Sequence, residues 1–137
     1  MGQKTGYGGE AGSWATEIFA ITLFVEDLAA AKKFYQQVFG LPVEFEDDNS
    51  AVFKFGKTLI NLLKTAAADE LIGPAKAAER EAGSRFVFTL QVDDVDAMCA
   101  ELTGRGVTLL NGPMDRPWGI RTASFTDPGG TIWEIAK

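Results

Sequence analysis

Side chains that commonly do chemistry are scarce in this chain. Its 137 residues include no histidine and one cysteine, Cys99. No Ser-His-Asp triad, Cys-His pair or histidine-ligated metal can be built from it, and the commonest general base at neutral pH is missing. A single cysteine excludes an internal disulfide and a cysteine-cluster zinc site, and it fits a reducing compartment. Carboxylates, arginines and aromatics remain. Glu44, Glu46, Asp47 and Asp48 cluster, as a solvated strand-turn or as an acidic rim that attracts a cationic ligand. The stretch Gly112-Pro113-Met114-Asp115-Arg116-Pro117-Trp118-Gly119-Ile120-Arg121 reads as a rim loop. Two prolines stiffen it, Trp118 offers a flat stacking surface, and Arg116 and Arg121 can engage an anionic or planar group. The competing reading has Trp118 capping the core edge and Arg121 paired with an acidic neighbour. Cys99 lies on an apolar helical stripe between Met98 and Leu102, which makes it a small core residue rather than a nucleophile.

Composition narrows the partners. Lys and Arg number 13 against 19 Asp and Glu, for a net charge of −6. A duplex-binding protein needs a basic face to displace counterions, so nucleic acid is excluded as a partner. Apolar stretches are short and interrupted by charge, so no membrane span is expected. Residues 1–16 read as a flexible tail, Gly-rich and polar over Met1 to Ser13, with no apolar core of a signal peptide. A cytoplasmic protein is the expectation.

The elements that must position these groups come from periodicity. Ile18 to Val25 alternates as a strand. Asp27 is a candidate N-cap, and from Leu28 through Ala31, Tyr35, Val38 and Phe39 the period becomes helical. Gly40 ends that helix and Pro42 prevents its continuation. Strands follow at Val43 to Asp47, Ala51 to Phe55 and Thr58 to Lys64. Residues 65–84 form a connector with one or two short helical turns, for example over Pro74 to Glu81. The pattern then recurs. A strand over Phe86 to Val92 leads to a capping Asp94. A helical stripe of Val95, Met98, Cys99 and Leu102 follows. Strands are expected at Val107 to Leu110, Gly119 to Thr126 and Thr131 to Ala136, the last two joined by Asp127-Pro128-Gly129-Gly130. Val25-Glu26-Asp27-Leu28 matches Val92-Asp93-Asp94-Val95, and Gly56-Lys57-Thr58-Leu59 matches Gly129-Gly130-Thr131-Ile132. Two β-α-β-β-β modules, 17–64 and 85–137, therefore make one α+β domain.

These residues resemble the vicinal oxygen chelate superfamily, also called the glyoxalase/bleomycin resistance/dioxygenase group. The resemblance runs from Glu17 to Lys137. It rests on Leu23-Phe24-Val25-Glu26-Asp27-Leu28, Phe34-Tyr35, Val38-Phe39-Gly40-Leu41, Val92-Asp93-Asp94-Val95 and Phe125-Thr126-Asp127-Pro128-Gly129-Gly130-Thr131-Ile132-Trp133-Glu134-Ile135. It implies paired modules whose mixed sheets form a cup, commonly in a homodimer. Family members that use a metal draw ligands from the first and last strands of each module. The matching positions here are Ala20, Val87, Asn61 and Glu134, of which only Glu134 is a good ligand. No metal and no cofactor are expected, and glyoxalase I or extradiol dioxygenase chemistry is disfavoured.

Alternation together with the resemblance turns Ala20, Thr22, Phe24, Asn61, Val87, Thr89, Gln91 and Glu134 into the cup. Ile21, Leu23, Phe86, Phe88, Leu90 and Trp133 then lie under the helices. A mixed lining of this kind suits a small molecule, while the alternative is a cup filled by its own side chains. The expected ligand-binding residues are Thr22, Phe24, Asn61, Thr89, Gln91, Trp118, Arg121 and Glu134. The resulting expectation is a metal-free, bleomycin resistance-like protein that holds a small aromatic or apolar molecule, such as an antibiotic. The alternative is a lyase, isomerase or dioxygenase-like enzyme with an atypical site around Glu134.

Overall fold

The computed structural model describes residues 14–137. The tail expected over residues 1–16 therefore falls, for residues 1–13, outside the described part. The first module runs β1 (Ala20–Val25), α1 (Leu28–Gln37), β2 (Phe45–Glu46), β3 (Ser50–Phe55) and β4 (Thr58–Lys64). The second runs β5 (Val87–Gln91), α3 (Val95–Gly104), β6 (Leu109–Asp115), β7 (Arg121–Thr126) and β8 (Ile132–Ala136). Each builds its own four-stranded mixed sheet, ordered β1-β4-β3-β2 and β5-β8-β7-β6. In each, the first strand lies parallel to the last, and the helix is the crossover that parallel pairing requires. The fold is α+β.

Both helices start by the same device. Asp27 Oδ1 accepts from the Ala30 amide and Asp94 Oδ1 from the Ala97 amide, each at 3.0 Å. Each cap satisfies an amide that the first helical turn leaves without a partner. Gly40, at φ +68, turns the chain away after α1 in a region that costs other residues steric strain.

Alternation divides each sheet into two faces. Leu23, Val25, Phe53, Ile60 and Leu62 of one sheet, and Phe125, Trp133 and Ile135 of the other, are buried with Ala31, Tyr35, Cys99 and Leu102 of the helices. These residues form one core, so the modules meet through their helix-bearing sides. Aromatic rings fill the junction. Phe39 lies 4.9 Å and Phe55 5.1 Å from Trp133, and Tyr35 lies 5.3 Å from Phe53, centroid to centroid. Each such buried side chain contributes roughly 1.5–3 kcal/mol through area removed from water.

One polar link crosses this junction. The Tyr35 hydroxyl of α1 donates to Asp127 Oδ2 at 2.7 Å. Asp127 Oδ1 accepts from the Gly129 and Thr131 amides, which closes the turn between β7 and β8. Burial pushes the Asp127 carboxyl above its ordinary range, and it pushes the Tyr35 phenol up as well. The buried Trp133 indole N–H meets no acceptor at hydrogen-bonding geometry, although it lies near enough to favour the ionised forms of both groups.

Beyond shifts of one or two residues at strand ends, three features differ from the sequence expectation. The connector's α-helix, α2 (Ala68–Ile72), precedes Pro74 instead of following it. Gly73 closes that helix and Pro74 stands beyond it, the usual order at a helix end. Only a 3-10 turn at Arg80–Ala82 lies within the span expected to be helical. The third difference is β6, which runs on to Asp115 through the expected rim loop. It is the edge strand of its sheet, so Pro113 forfeits no ladder bond there.

Candidate functional site

The faces turned away from the core carry the cup residues. Cross-strand partners point to the same side of a sheet. In the first sheet Thr22 pairs with Asn61, and Asn61 with Val52. The Asn61 amide donates to the Thr22 hydroxyl at 3.3 Å. In the second, Thr89 pairs with Glu134, and Glu134 with Ser124. The Thr89 hydroxyl donates to Glu134 Oε1 at 2.8 Å. The repeat therefore sets a polar pair at the same place on each outer face. Gln91 extends the second row beside Ala136 and Thr122.

β6 and β7 complete the second face. The pairing of these strands slips between Asn111 and Met114. Gly112, at φ +85, sits inside the slip, where a Cβ would lie 2.5 Å from the Thr122 carbonyl oxygen. Only glycine allows this close approach. Just past the bulge, Arg116 reaches back across the face. Its Nε donates to the Thr122 hydroxyl at 2.8 Å and its Nη2 to Asn111 Oδ1 at 3.2 Å. The guanidinium carbon lies 5.8 Å from the Trp118 ring centroid. Both groups that hold Arg116 are neutral, and among the described residues no carboxylate lies within 4 Å of it. It is thus a fixed cation with unspent charge, flanked by an indole that is 68% exposed.

Arg121 points the other way, toward α3. Its guanidinium binds Asp96 at 2.9 Å and Asp115 at 3.1 Å. These bonds hold Arg121 charged and pull the Asp96 carboxyl below its ordinary range. Of the eight expected ligand-binding residues, Thr89, Gln91 and Glu134 share one outer face, and Trp118 stands on the loop that follows Arg116. Thr22 and Asn61 sit on the other sheet. Phe24 lines a cavity between the modules. Alternation along β7 sets Arg121 on the side of Ala123 and Phe125, away from the face, whereas the reach of Arg116, beyond the β6 bulge, is not legible from spacing. Thr122 and Ser124, both buried polar residues of that face, are legible in the alternation of Thr122, Ser124 and Thr126 with Ala123 and Phe125.

The acidic cluster forms a turn. Asp47 Oδ1 accepts from the Asn49 and Ser50 amides and the Ser50 hydroxyl, which lowers its carboxyl's pKa, and Glu46 pairs with Lys32. Cys99 is buried, and burial pushes its thiol up.

The four family ligand positions do not suit a metal. Ala20 and Val87 bring no donor, Asn61 brings an amide, and Glu134 brings the single carboxylate. A hard cation needs several oxygens or nitrogens converging on one point. No group of three or more His, Cys, Asp or Glu is placed to hold a metal ion among the described residues. No helix among them is long and apolar enough to cross a membrane.

Known proteins are similar to this chain in sequence or in fold. YraH of Bacillus subtilis strain 168, itself uncharacterised, is 35% identical over 125 residues, covering 88% of this chain and 98% of that protein. A virulence protein of Salmonella typhimurium strain LT2 is 24% identical, covering 85% of this chain and 81% of its own length. A crystal structure of a glyoxalase/bleomycin resistance protein/dioxygenase from Nocardioides superimposes with a TM-score of 0.81 at 24% identity, over 90% of this chain and 83% of that one. A lactoylglutathione lyase from Agrobacterium tumefaciens does so at 0.70 and 24%, over 89% and 93%. These two structures share the fold. Residues 17–135 match the Glyoxalase/Bleomycin resistance protein/Dioxygenase superfamily, and the chain belongs to that superfamily.

Proposed function

We propose that this protein binds a small planar aromatic molecule on the outer face of the second sheet, without a metal. The observation that carries the proposal is Arg116, fixed by Thr122 and Asn111, lying beside the exposed Trp118. Trp118 offers a stacking surface and Arg116 a directed donor for a polar edge of the ligand. Glu134, oriented by Thr89, accepts from a ligand N–H or O–H at the opposite edge. A face with an apolar platform and a few aimed polar groups orients a ligand as well as holding it.

We propose further that a homodimer in the cytoplasm is the working form. Phe45 and Val87, both on outer faces, are 58% and 50% exposed. Exposed apolar groups on a sheet face favour a cover, and a second copy supplies one. Light scattering across a dilution series tests this, and a monomer at every concentration overturns it.

A thermal-shift screen of planar aromatic compounds, antibiotics included, followed by calorimetric titration of the hits, tests the binding function. The expected result is stabilisation by one chemical group of compounds, lost in Arg116→Ala and Trp118→Ala. Stabilisation by none, or binding untouched by both changes, overturns the proposal. The enzymatic reading rests on the Thr89 hydrogen bond, which aims the Glu134 carboxylate as a base requires. Under that reading Glu134→Gln abolishes turnover of a bound compound while leaving its affinity nearly unchanged.

A further inference from the structure

A second cavity lies at the seam between the modules, apart from the Arg116 face. It has a volume of about 220 Å³ and is walled by β1, the end of the connector and the β7–β8 turn. At roughly 30 Å³ per water it holds the equivalent of about seven waters, the size of a single-ring molecule. That is below the ~300–1,000 Å³ of drug-sized sites. Two arginines, Arg80 and Arg85, and two phenylalanines, Phe24 and Phe86, line it. One carboxylate, Glu79, shares the wall, so the lining carries a net positive charge.

The cationic side is built into the fold. Gly130, at φ +92, leaves room for the Arg80 stem across the β7–β8 turn, where an added Cβ would lie 3.0 Å from Arg80 Cγ. The Ser84 hydroxyl donates to the Gly130 carbonyl at 3.4 Å, and the Arg80 amide donates to Glu26 at 3.4 Å. The connector is thereby tied to both modules. Four ion pairs occur among the described residues, and neither Arg80 nor Arg85 takes part in one. Arginines in such a chain of net charge −6 have many carboxylates to choose from. Two left unpaired at one cavity is a pattern that suits an anionic guest.

We infer that this seam is a binding site for a small aromatic carboxylate, its ring against Phe24 and Phe86 and its carboxylate between Arg80 and Arg85. The site is independent of the ligand face around Arg116. It joins residues of both modules, so its occupancy also braces the connector.

Benzoate titrated into the full chain, followed by amide chemical shifts, tests the inference, with benzyl alcohol as the uncharged control. Saturable shifts at Phe24, Phe86, Gly129 and Gly130 are expected with benzoate and not with benzyl alcohol. Arg85→Gln and Arg80→Gln are each expected to weaken binding at least about tenfold, and Lys57→Ala, in the β3–β4 turn, to leave it unchanged. Both arginines are exposed, and an unaltered melting temperature checks that the variants fold. Three results overturn the inference: no saturable shift in the wild-type protein, equal shifts from benzyl alcohol, or shifts centred on Trp118 and Arg116. None of the three needs a variant.

Discussion

The two outer sheet faces descend from one pattern and are dressed for different work. On the first, Thr22 and Asn61 form a neutral pair among Ala20, Val52, Leu59, Leu63 and Phe24, with Lys54 toward one end and Ser50, turned to Asp47, at the other. On the second, the equivalent pair is Thr89 and Glu134, and it sits among Ser124, Thr122, Asn111 and Arg116. The difference arises at the edge of each sheet. β2 is two residues long, whereas β6 has seven and carries a bulge that turns an arginine back over the face. A repeated scaffold thus keeps its core side alike in both halves and differs in the polar groups that one edge strand brings to the outer face.

The largest effect separates the two hairpin turns. Between β3 and β4 the chain turns on Gly56 and Lys57, while between β7 and β8 it turns around the buried Asp127 carboxylate. Asp127→Ala leaves the Tyr35 hydroxyl and two amides without their acceptor. Its expected cost is about 3 kcal/mol, read as a lower urea midpoint with an unchanged slope. Lys57→Ala is expected to change stability by less than about 0.5 kcal/mol. Asp127→Asn keeps an acceptor for the amides and mimics the protonated acid. Because burial raises the Asp127 pKa, the folded protein holds that proton more tightly than the unfolded chain. The stabilisation it contributes is present below the ordinary carboxylate value of 3.8 and is lost as pH rises through the folded value. Wild type is therefore expected to gain on Asp127→Asn as pH falls toward 3.8. A difference independent of pH means that Asp127 is not desolvated.

The next effect concerns the faces themselves. Arg116→Ala is expected to weaken a planar ligand by about 10- to 100-fold, as the loss of a charged hydrogen bond does. Lys54→Ala, on the first sheet's outer face, is expected to leave affinity unchanged. Calorimetric titration of both variants with one hit compound decides. Equal losses would make the two faces one site, with Lys54 and Arg116 converging on the ligand.

The element order was legible because it rests on local signals that do not depend on tertiary contacts. Asp27 and Asp94 are caps in the sequence and in the structure, and Thr58–Lys64 runs as a strand between the same residues. For the same reason the alternation of β1, β5 and β8 set Ile21, Leu23, Phe88, Leu90 and Trp133 against the core, but Phe86, expected under the helices, precedes β5 and is 50% exposed at the seam between the modules. What escaped is what depends on long-range geometry. A bulge is one displaced register, and no residue count reveals that Gly112 opens onto Thr122 or that Arg116 then bonds Thr122 and Asn111. Likewise Asp127 reads as a turn residue, and its partner Tyr35 stands 92 positions away. The connector holds short helical turns as its composition suggests, but Pro74 follows the end of one where the sequence reading has it open one.

The caps give a smaller and symmetric test. Asp27→Ala and Asp94→Ala each remove one bond to an amide three residues on, at the same 3.0 Å. Each is expected to cost about 1 kcal/mol in chemical denaturation. Equal costs support the view that the repeat is conserved in energy as well as shape on the core side. A cost confined to one cap would show that the helices do not contribute alike.

The smallest effect returns to the arginine that faces away from the binding surface. Arg121 ties β7 to Asp96 of α3 and to Asp115 of β6, all at the protein surface, where solvent and salt weaken ion pairs. Arg121→Ala is expected to lower the melting temperature slightly at low salt, to have almost no effect at high salt, and to leave ligand affinity unaltered. Its pH dependence should oppose that of Asp127. Hydrogen bonding to Arg121 lowers the Asp96 pKa, so the stability from that pair is present above 3.8 and is lost as pH falls through the folded value. The gap between wild type and Arg121→Ala should therefore close in acid, where the gap for Asp127→Asn opens. Two aspartates of one module, one at a surface pair and one under an aromatic core, would then report their surroundings with opposite signs. Were ligand affinity to fall in Arg121→Ala, the division of labour between Arg116 and Arg121 would be wrong, and the alternation of β7 would not keep Arg121 off the binding face.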